Sequence, residues 1–286
     1  MAKKSKKKYS KKRSSKPTLF SSIIVLIALV YGIWNRYGND IQKAQSPNNN
    51  EVQSGVISKA NQAQTPYGGL SSQDYQKLAN LNFQSGAKAF VYVNNNRSTL
   101  IKNAWKTNKV IYSNLDSLNR TSKSNTAFLE PKNVANDSLR VRQFVNPTAW
   151  HYNSRNGVQI YNRGHLIAYS VSAGIDQNGQ YNPANQSGDQ NNPKNLFTQT
   201  AFTNQKIQTI FESKVRNALK SGNKVIYQAT PIFRDNELMA RGINLQAVAV
   251  NGNLDFNVYI FNVQPDFTFD YTTGRAKIDR NMQVNE

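Results

Sequence analysis

The feature that most constrains the fold is one long amphipathic segment lying between two groups of short, strand-like runs. From about Thr203 to Ser221 apolar residues recur at helical spacing, and Gly222 follows as a helix terminator. The apolar positions are Ile207, Ile210, Phe211, Val215 and Ala218. Strands are predicted on both sides of this helix, over residues 89–93, 109–112, 158–161, 225–229 and 245–250. Strands before and after a single strong helix predict an α+β domain around an antiparallel sheet.

Two local signals refine this prediction. Asn251-Gly252 separates the last of these strands from a further run over 254–261, and Asn-Gly is the strongest short-range signal for a β-hairpin. Ser72-Gln73-Asp74 precedes Tyr75 and Leu78 at helical spacing, so ordered structure is predicted to begin near Ser72. We therefore assign residues 70–286 to the folded domain.

The N-terminal region has a different composition. Residues 1–17 contain nine Lys and Arg and no acid, and residues 18–37 include an uncharged apolar run over 19–34 that is just long enough to span a bilayer. The positive cluster predicts a cytoplasmic tail, a transmembrane signal anchor and an extracellular domain, which makes a single-pass protein of the cell membrane. The alternative is a cleaved signal peptide and a secreted protein, although no Ala-x-Ala-like site directly follows the apolar run. Residues 38–69 are rich in Asn, Gln, Ser and Gly and predict a flexible linker.

Charge and cysteine content limit the chemistry. The chain has 36 basic and 16 acidic residues, and removing residues 1–16 leaves 27 basic residues and a net charge of +11. Such an excess favours a polyanionic partner, either nucleic acid or an anionic cell wall. The absence of cysteine excludes disulfides, a thiolate nucleophile and a Cys-based zinc site. His151 and His165 are the only histidines, so they are the only candidates for imidazole chemistry.

Polar residues concentrate between residues 161 and 216. Asn162-Arg163-Gly164-His165 is predicted to leave a strand, and Asn195 lies thirty residues beyond His165. On the predicted helix, Asn204, Gln208, Glu212 and Arg216 are four residues apart and drift only about 40° per step along one edge of the apolar stripe. That edge is interpreted either as the wall of a cleft or as a solvated face with an i, i+4 ion pair between Glu212 and Arg216.

These residues resemble the DNA/RNA non-specific endonucleases, a branch of the ββα-metal or His-Me finger nucleases, and most of all the membrane-bound DNA-entry nucleases and secreted DNases of Gram-positive bacteria. The resemblance rests on the 162–165 motif, Asn195, Asn204 and Glu212, and it extends over most of residues 70–275. It implies a ββα-metal fold with a central antiparallel sheet and one long active-site helix. The family usually has Asp-Arg-Gly-His, whereas this chain has Asn162, which keeps a carbonyl acceptor and loses the charge.

The resemblance also implies roles for individual residues. His165 would be the general base, Asn204 would bind Mg²⁺, or Mn²⁺ in its place, and Glu212 would orient water in the second coordination shell. Arg163 and Arg216 would contact the phosphates of DNA, with RNA as a second substrate, and Asn195 would help to arrange the site. No small-molecule cofactor is expected. The alternative function is a non-catalytic surface receptor that holds DNA without cutting it.

Three further predictions concern residues outside this motif. His151 follows Trp150 in a turn and is predicted to be structural. Arg140, Arg142 and Arg155 are interpreted either as the lining of a substrate groove or as solvated basic surface. Since no base-reading module is visible, low sequence specificity is expected.

Overall fold

The computed structural model describes residues 62–155 and 157–286. The predicted basic tail (1–17), the transmembrane anchor (18–37) and most of the predicted linker (38–61) lie outside the described residues. Among the residues that the structure describes, no helix is long and apolar enough to cross a membrane.

The described chain begins with a small hairpin and a short helix. Strand β1 (Ala63–Thr65) pairs antiparallel with β2 (Gly68–Ser71), and helix α1 (Ser72–Ala79) follows directly. The Ser71 hydroxyl caps α1 by accepting a hydrogen bond from the Asp74 backbone N–H at 3.0 Å. Ordered structure therefore starts upstream of Ser72, and the last residues of the predicted linker belong to the folded domain. The buried side chain of Gln228 holds this hairpin by accepting a hydrogen bond from the Leu70 backbone N–H at 3.3 Å.

A six-stranded antiparallel sheet forms the centre of the domain. Its strands are β3 (Phe90–Tyr92), β4 (Lys109–Ile111), β5 (Asn125–Leu129), β10 (Val225–Ile232), β11 (Gly242–Ala249) and β12 (Asp255–Phe261). Their order across the sheet is β3-β12-β11-β10-β5-β4. The predicted hairpin is confirmed, because β11 and β12 pair antiparallel on either side of Asn251-Gly252. The central antiparallel sheet of the predicted α+β class is thus present.

A separate strand pair and the long helix make the ββα unit. Strand β8 (Tyr161–His165) pairs antiparallel with β9 (Leu196–Thr200), so that His165 lies opposite Leu196. The helix starts with a π-helical segment (Thr203–Gln208) and continues as α2 (Thr209–Lys220). This confirms the predicted helix, except that its first turns are π-helical, a geometry common at functional sites.

Two details differ from the sequence predictions. The predicted strand over 158–161 is divided: β7 (Val158–Gln159) pairs with β6 (Ser154–Arg155), and the Asn-Arg-Gly-His motif is itself part of β8 because β9 supplies a pairing partner. Ile210 is 41% exposed rather than buried. The buried stripe follows Ile207, Phe211, Val215 and Leu219 at four-residue spacing, which leaves Ile210 on the flank.

The stripe of the long helix packs on one face of the central sheet, against residues such as Tyr227 and Phe256. A small hairpin of β13 (Phe267–Asp270) and β14 (Arg275–Ile278) completes the described chain. Phe269 of this hairpin packs against Tyr161 of β8, with ring centroids 5.7 Å apart. The strand that carries His165 is therefore fixed by apolar packing at its start and by β9 along its length.

Candidate active site

A cavity of about 420 Å³ lies where β8 meets the long helix. Four of the predicted site residues line it: Arg163 and His165 from β8, and Asn204 and Glu212 from the helix. The structure therefore brings together side chains that are up to 49 positions apart in the sequence. Asn162, Arg140, Gln143 and Tyr169 line the same cavity.

His165 is held through one ring nitrogen. Its Nε2 lies 3.1 Å from the backbone carbonyl oxygen of Gln190. A carbonyl can only accept, so Nε2 carries the proton and Nδ1 keeps its lone pair. Burial lowers the pKa of His165 to about 4, with the positive charge of Arg140 acting in the same direction and the Gln190 hydrogen bond opposing it. The imidazole is therefore neutral at pH 7 and able to accept a proton.

The pKa of Glu212 shifts in the opposite direction. Burial raises the pKa of its carboxyl group to about 7, although the hydrogen bond from Gln208 and the charge of Arg140 both lower it. The Gln208 side-chain amide donates to Glu212 Oε1 at 2.8 Å, and the second carboxylate oxygen has no hydrogen-bond partner among the described residues. Burial thus keeps His165 neutral at pH 7 and raises the pKa of Glu212 close to that pH.

Asn204 is held on both sides by amides. Its Oδ1 accepts a hydrogen bond from Asn162 Nδ2 at 2.8 Å, and its Nδ2 donates to Gln199 Oε1 at 2.8 Å. Asn162 in turn accepts from Gln159 Nε2 at 2.5 Å. The residue that replaces the family's usual aspartate therefore acts as a donor to the predicted metal ligand.

Arg163 is positioned by a ring and an amide. Its guanidinium lies 4.3 Å from the centroid of the Trp150 ring, and its Nη2 donates to Asn146 Oδ1 at 2.7 Å. Partial burial and the neighbouring charge of Arg142 lower the pKa of Arg163, which nevertheless stays fully charged at pH 7. The guanidinium is thus a fixed positive group at the cavity wall, while its contact with phosphate stays a prediction.

Two predicted site residues do not line the cavity. Asn195 is fully buried, and its side-chain amide pairs with the backbone of Ile167, with bonds of 2.8 and 3.0 Å. It thereby fixes the chain just after His165, which agrees with an arranging role.

Arg216 turns away from Glu212: its Nη2 lies 3.3 Å from the Ala135 carbonyl oxygen and 3.8 Å from Asp137 Oδ2. The alternative of a Glu212–Arg216 pair is wrong, because the segment around residue 135 supplies the partners of Arg216.

The sequence left Arg140 open as groove lining or solvated surface and gave no sign of its electrostatic effect on the site, whereas the structure places it in the cavity lining. Its guanidinium lies 4.8 Å from the centroid of the Tyr169 ring, within the cavity lining, and its charge acts on both His165 and Glu212. No pattern links Arg140 to the histidine motif, since tertiary packing brings its loop to the site. Arg155, by contrast, donates to the Ala276 carbonyl oxygen at 3.3 Å on the β13–β14 hairpin.

His151 is bound to the scaffold. Its Nε2 lies 2.8 Å from the Thr273 carbonyl oxygen, and the adjacent Trp150 packs in a cluster with Tyr161 and Phe267. These contacts agree with the predicted structural role.

The two histidines permit a direct test of the electrostatics. Replacing Arg140 by alanine removes a positive charge that disfavours protonation, so the pKa of His165 is expected to rise from about 4, and that of Glu212 is also expected to rise. NMR titration of the two imidazole signals measures the first shift, and His151 serves as the internal reference. An unchanged His165 titration in Arg140→Ala would contradict the electrostatic arrangement described above.

The oxygen donors of the cavity fit a hydrated divalent cation. Residues 62–155 and 157–286 contain no cluster of three or more His, Asp or Glu side chains that could hold a metal ion. Asn204 Oδ1 has a second lone pair beyond the one used by Asn162, and one oxygen of Glu212 is without a protein partner among the described residues. A site with few protein oxygens suits Mg²⁺, which commonly keeps several waters. It does not suit a structural zinc ion, which needs a cluster of nitrogen or sulfur ligands.

Residues 98–251 match the sequence model of the DNA/RNA non-specific endonucleases. The chain belongs to this family. Family members are metal-dependent phosphodiester hydrolases, so the protein is an enzyme rather than a non-catalytic DNA receptor.

Solved structures agree with this membership of the endonuclease family. NucA from Streptococcus agalactiae with a bound magnesium ion is similar at 29% identity and a TM-score of 0.59, covering 72% of this chain and 96% of that chain. The same protein with no metal bound is similar at 30% identity and a TM-score of 0.57, covering 73% and 96%.

Proposed function

We propose that this family member is a surface-anchored, Mg²⁺-dependent endonuclease that cuts DNA without sequence specificity, with RNA as a second substrate, and that His165 is its general base. The observation that carries the proposal is the position of His165, whose Nε2 lies 3.1 Å from the Gln190 carbonyl oxygen, in the same cavity as Asn204 and Glu212. A base and oxygen donors on facing walls are the groups that hydrolysis of a phosphodiester requires.

The residues of the cavity divide the work of this reaction. His165 accepts the proton of the attacking water at Nδ1, while Gln190 holds the ring through Nε2. Arg163, fixed by Trp150 and Asn146, stabilises negative charge on the phosphate. Asn204 and, through water, Glu212 would hold Mg²⁺, which when bound neutralises charge on the phosphate oxygens and assists departure of the 3′ oxygen.

A plasmid digestion tests the proposal. The full chain, purified in detergent, is incubated with supercoiled plasmid and with single-stranded RNA in Mg²⁺, in Mn²⁺ and in EDTA. Cleavage with either cation and none in EDTA is expected. Equal cleavage in EDTA would contradict the metal dependence, and no cleavage under any condition would contradict the enzymatic proposal.

Binding is expected to depend strongly on salt and weakly on sequence. The net charge of +11 beyond the basic tail provides many phosphate contacts, each of which releases counterions. Between 50 and 200 mM salt, we expect the affinity of the His165→Ala variant for duplex DNA in EDTA to fall by about 10³-fold if six or more phosphates are contacted. Fluorescence anisotropy with several unrelated duplexes measures both effects. A flat salt response or a strong preference for one duplex would contradict backbone recognition.

Surface anchoring through residues 18–37 rests on the sequence alone. Nine positive charges precede an apolar run, so the folded domain is expected outside the cell. Protease added to intact cells should remove the domain and leave an N-terminal epitope tag protected. Digestion of the tag with survival of the domain would reverse the proposed orientation, and recovery of the whole domain in the medium would favour the cleaved, secreted form.

A further inference from the structure

The amide side chains around the cavity form one continuous chain of hydrogen bonds. Each amide donates through its NH₂ group to the next side-chain oxygen, with distances of 2.5 Å for the first bond and 2.8 Å for each of the other four. In donor order the members of this amide chain are Gln159, Asn162, Asn204, Gln199 and Gln208, and the last acceptor is Glu212. All five bonds therefore run in the same direction.

The direction is fixed at the Glu212 end. Gln208 Nε2 donates both to Glu212 Oε1 and, at 2.9 Å, to the backbone carbonyl oxygen of His165. A carboxylate and a carbonyl only accept, so Gln208 must turn its NH₂ group toward them and its own oxygen toward Gln199. The same requirement then passes along the chain, and Gln199 must offer its oxygen to the NH₂ group of Asn204.

The fixed direction of these hydrogen bonds determines the orientation of the Asn204 amide. With its NH₂ group held by Gln199, its oxygen faces Asn162 and the cavity. We propose that Gln199 and Gln208 are positioning residues that hold Asn204 with its oxygen toward the cavity and thereby set the affinity for the divalent cation. This inference rests on the proposed role of Asn204 as a metal ligand and adds two residues that lie behind it.

The burial of the amide chain supports this role. Gln199 and Gln208 are 1% and 0% exposed, and a buried amide is tolerated only when its hydrogen bonds are made. Gly164 of the histidine motif makes room for this arrangement, because a Cβ atom at that position would lie 2.2 Å from Gln199 Oε1. The close approach of β8 to Gln199 therefore explains why a glycine stands between Arg163 and His165.

Asn162 lies between Gln159 and Asn204 in the amide chain. Because Asn204 presents an oxygen, the matching group at position 162 is a donor, which asparagine supplies and aspartate lacks. An aspartate there would place two acceptors face to face unless a cation lay between them. Asn162→Asp is therefore expected to tighten Mg²⁺ binding. The natural Asn162 is expected to weaken it, because its hydrogen bond to Asn204 Oδ1 competes with the cation.

The test compares two replacements of Gln199 in the full chain. Gln199→Met keeps the length of the side chain and removes its hydrogen bonds. Gln199→Glu keeps an acceptor for Asn204, and a buried, protonated carboxyl group can still donate to Gln208. Gln228→Met is the matched control, because Gln228 is equally buried but holds the β1–β2 hairpin. Calorimetry with Mg²⁺ and electron paramagnetic resonance with Mn²⁺, both without DNA, measure cation affinity, and circular dichroism measures stability.

Gln199→Met should weaken cation binding about 10- to 100-fold, whereas Gln199→Glu and Gln228→Met should bind within a few-fold of the parent protein. Parent-like binding by Gln199→Met, or an equal loss in Gln199→Glu, would overturn the positioning role. Should Gln199→Met fail to fold, NMR of the parent protein remains decisive: the Asn204 NH₂ protons should exchange slowly with and without Mg²⁺, and rapid exchange would overturn the role. A parent protein that binds no cation contradicts the proposed function itself.

Discussion

Replacing His165 by alanine should slow plasmid cleavage by about 10²- to 10⁴-fold, the range that a positioned general base contributes. Folding should survive, because the side chain is half-buried and loses one hydrogen bond, worth about 1 kcal/mol, to the Gln190 carbonyl oxygen. Initial rates of plasmid nicking, with thermal melting of the same samples, measure both properties.

His151→Ala is the matched control, since it removes the other imidazole and its 2.8 Å bond to Thr273. It should change stability and leave the cleavage rate close to that of the parent protein. Added imidazole should partly restore cleavage by His165→Gly, because a free base can enter the space left by the side chain. It should not restore Asn204→Ala, whose expected defect is metal binding. Parent-like cleavage by His165→Ala would eliminate the proposed base.

Replacing Glu212 by glutamine should have opposite effects on activity and on stability. Glutamine can still accept the hydrogen bond from Gln208 but has no charge with which to orient metal-bound water, so cleavage should fall by about 10-fold or more. The free energy of unfolding at pH 8 in EDTA should rise by as much as about 3 kcal/mol, because the partly buried carboxylate no longer has to be ionised.

The sign of this stability effect follows from the raised pKa of Glu212. Below its unfolded-state pKa of 4.5 the carboxyl group is protonated in both states, so parent and variant should be about equally stable. Between pH 4.5 and 7 the carboxyl group ionises in the unfolded state but stays protonated in the folded state, so the parent protein loses stability over this range and the glutamine variant does not. Chemical denaturation at pH 4.5, 6 and 8 measures the difference. A Glu212→Gln gain that is equal at every pH would show that the charge is not its cause.

The elements that could be predicted from sequence depend on local patterns. The long helix and the β11–β12 hairpin have their own periodicity and turn residues, and both are confirmed. His165, Asn204 and Glu212 could be selected because their motif and spacing resemble the endonuclease family, and β8 and the long helix carry them to one cavity. The strand β9 was missed since Leu196–Thr200 has little alternation and depends on pairing with β8.

The remaining parts of the site depend on packing between distant segments. The partners of Arg216 come from residues 135–137, and Arg140 reaches the cavity on the same stretch of chain, so helical phase alone could not assign either side chain. Amides also have no periodic signature. The bonds that join Asn162, Asn204 and Gln199 became visible only when both strands and the helix were in place.

Asn204 lies in the π-helical segment Thr203–Gln208, so part of the chain between Asn204 and Glu212 is wound more widely than an α-helix. A π-helical turn holds about one residue more than an α-helical turn, so it shifts the angular phase of everything that precedes it by roughly 100° relative to α2. The number of residues in this segment therefore sets the angle between the side chains of Asn204 and Glu212 about the helix axis. Deleting Lys206, which does not line the cavity, would keep every lining side chain in the sequence and still turn Asn204 away from Glu212. In relatives with a regular helix at this point, equivalent residues should be found by superposing the cavity walls rather than by counting along the chain.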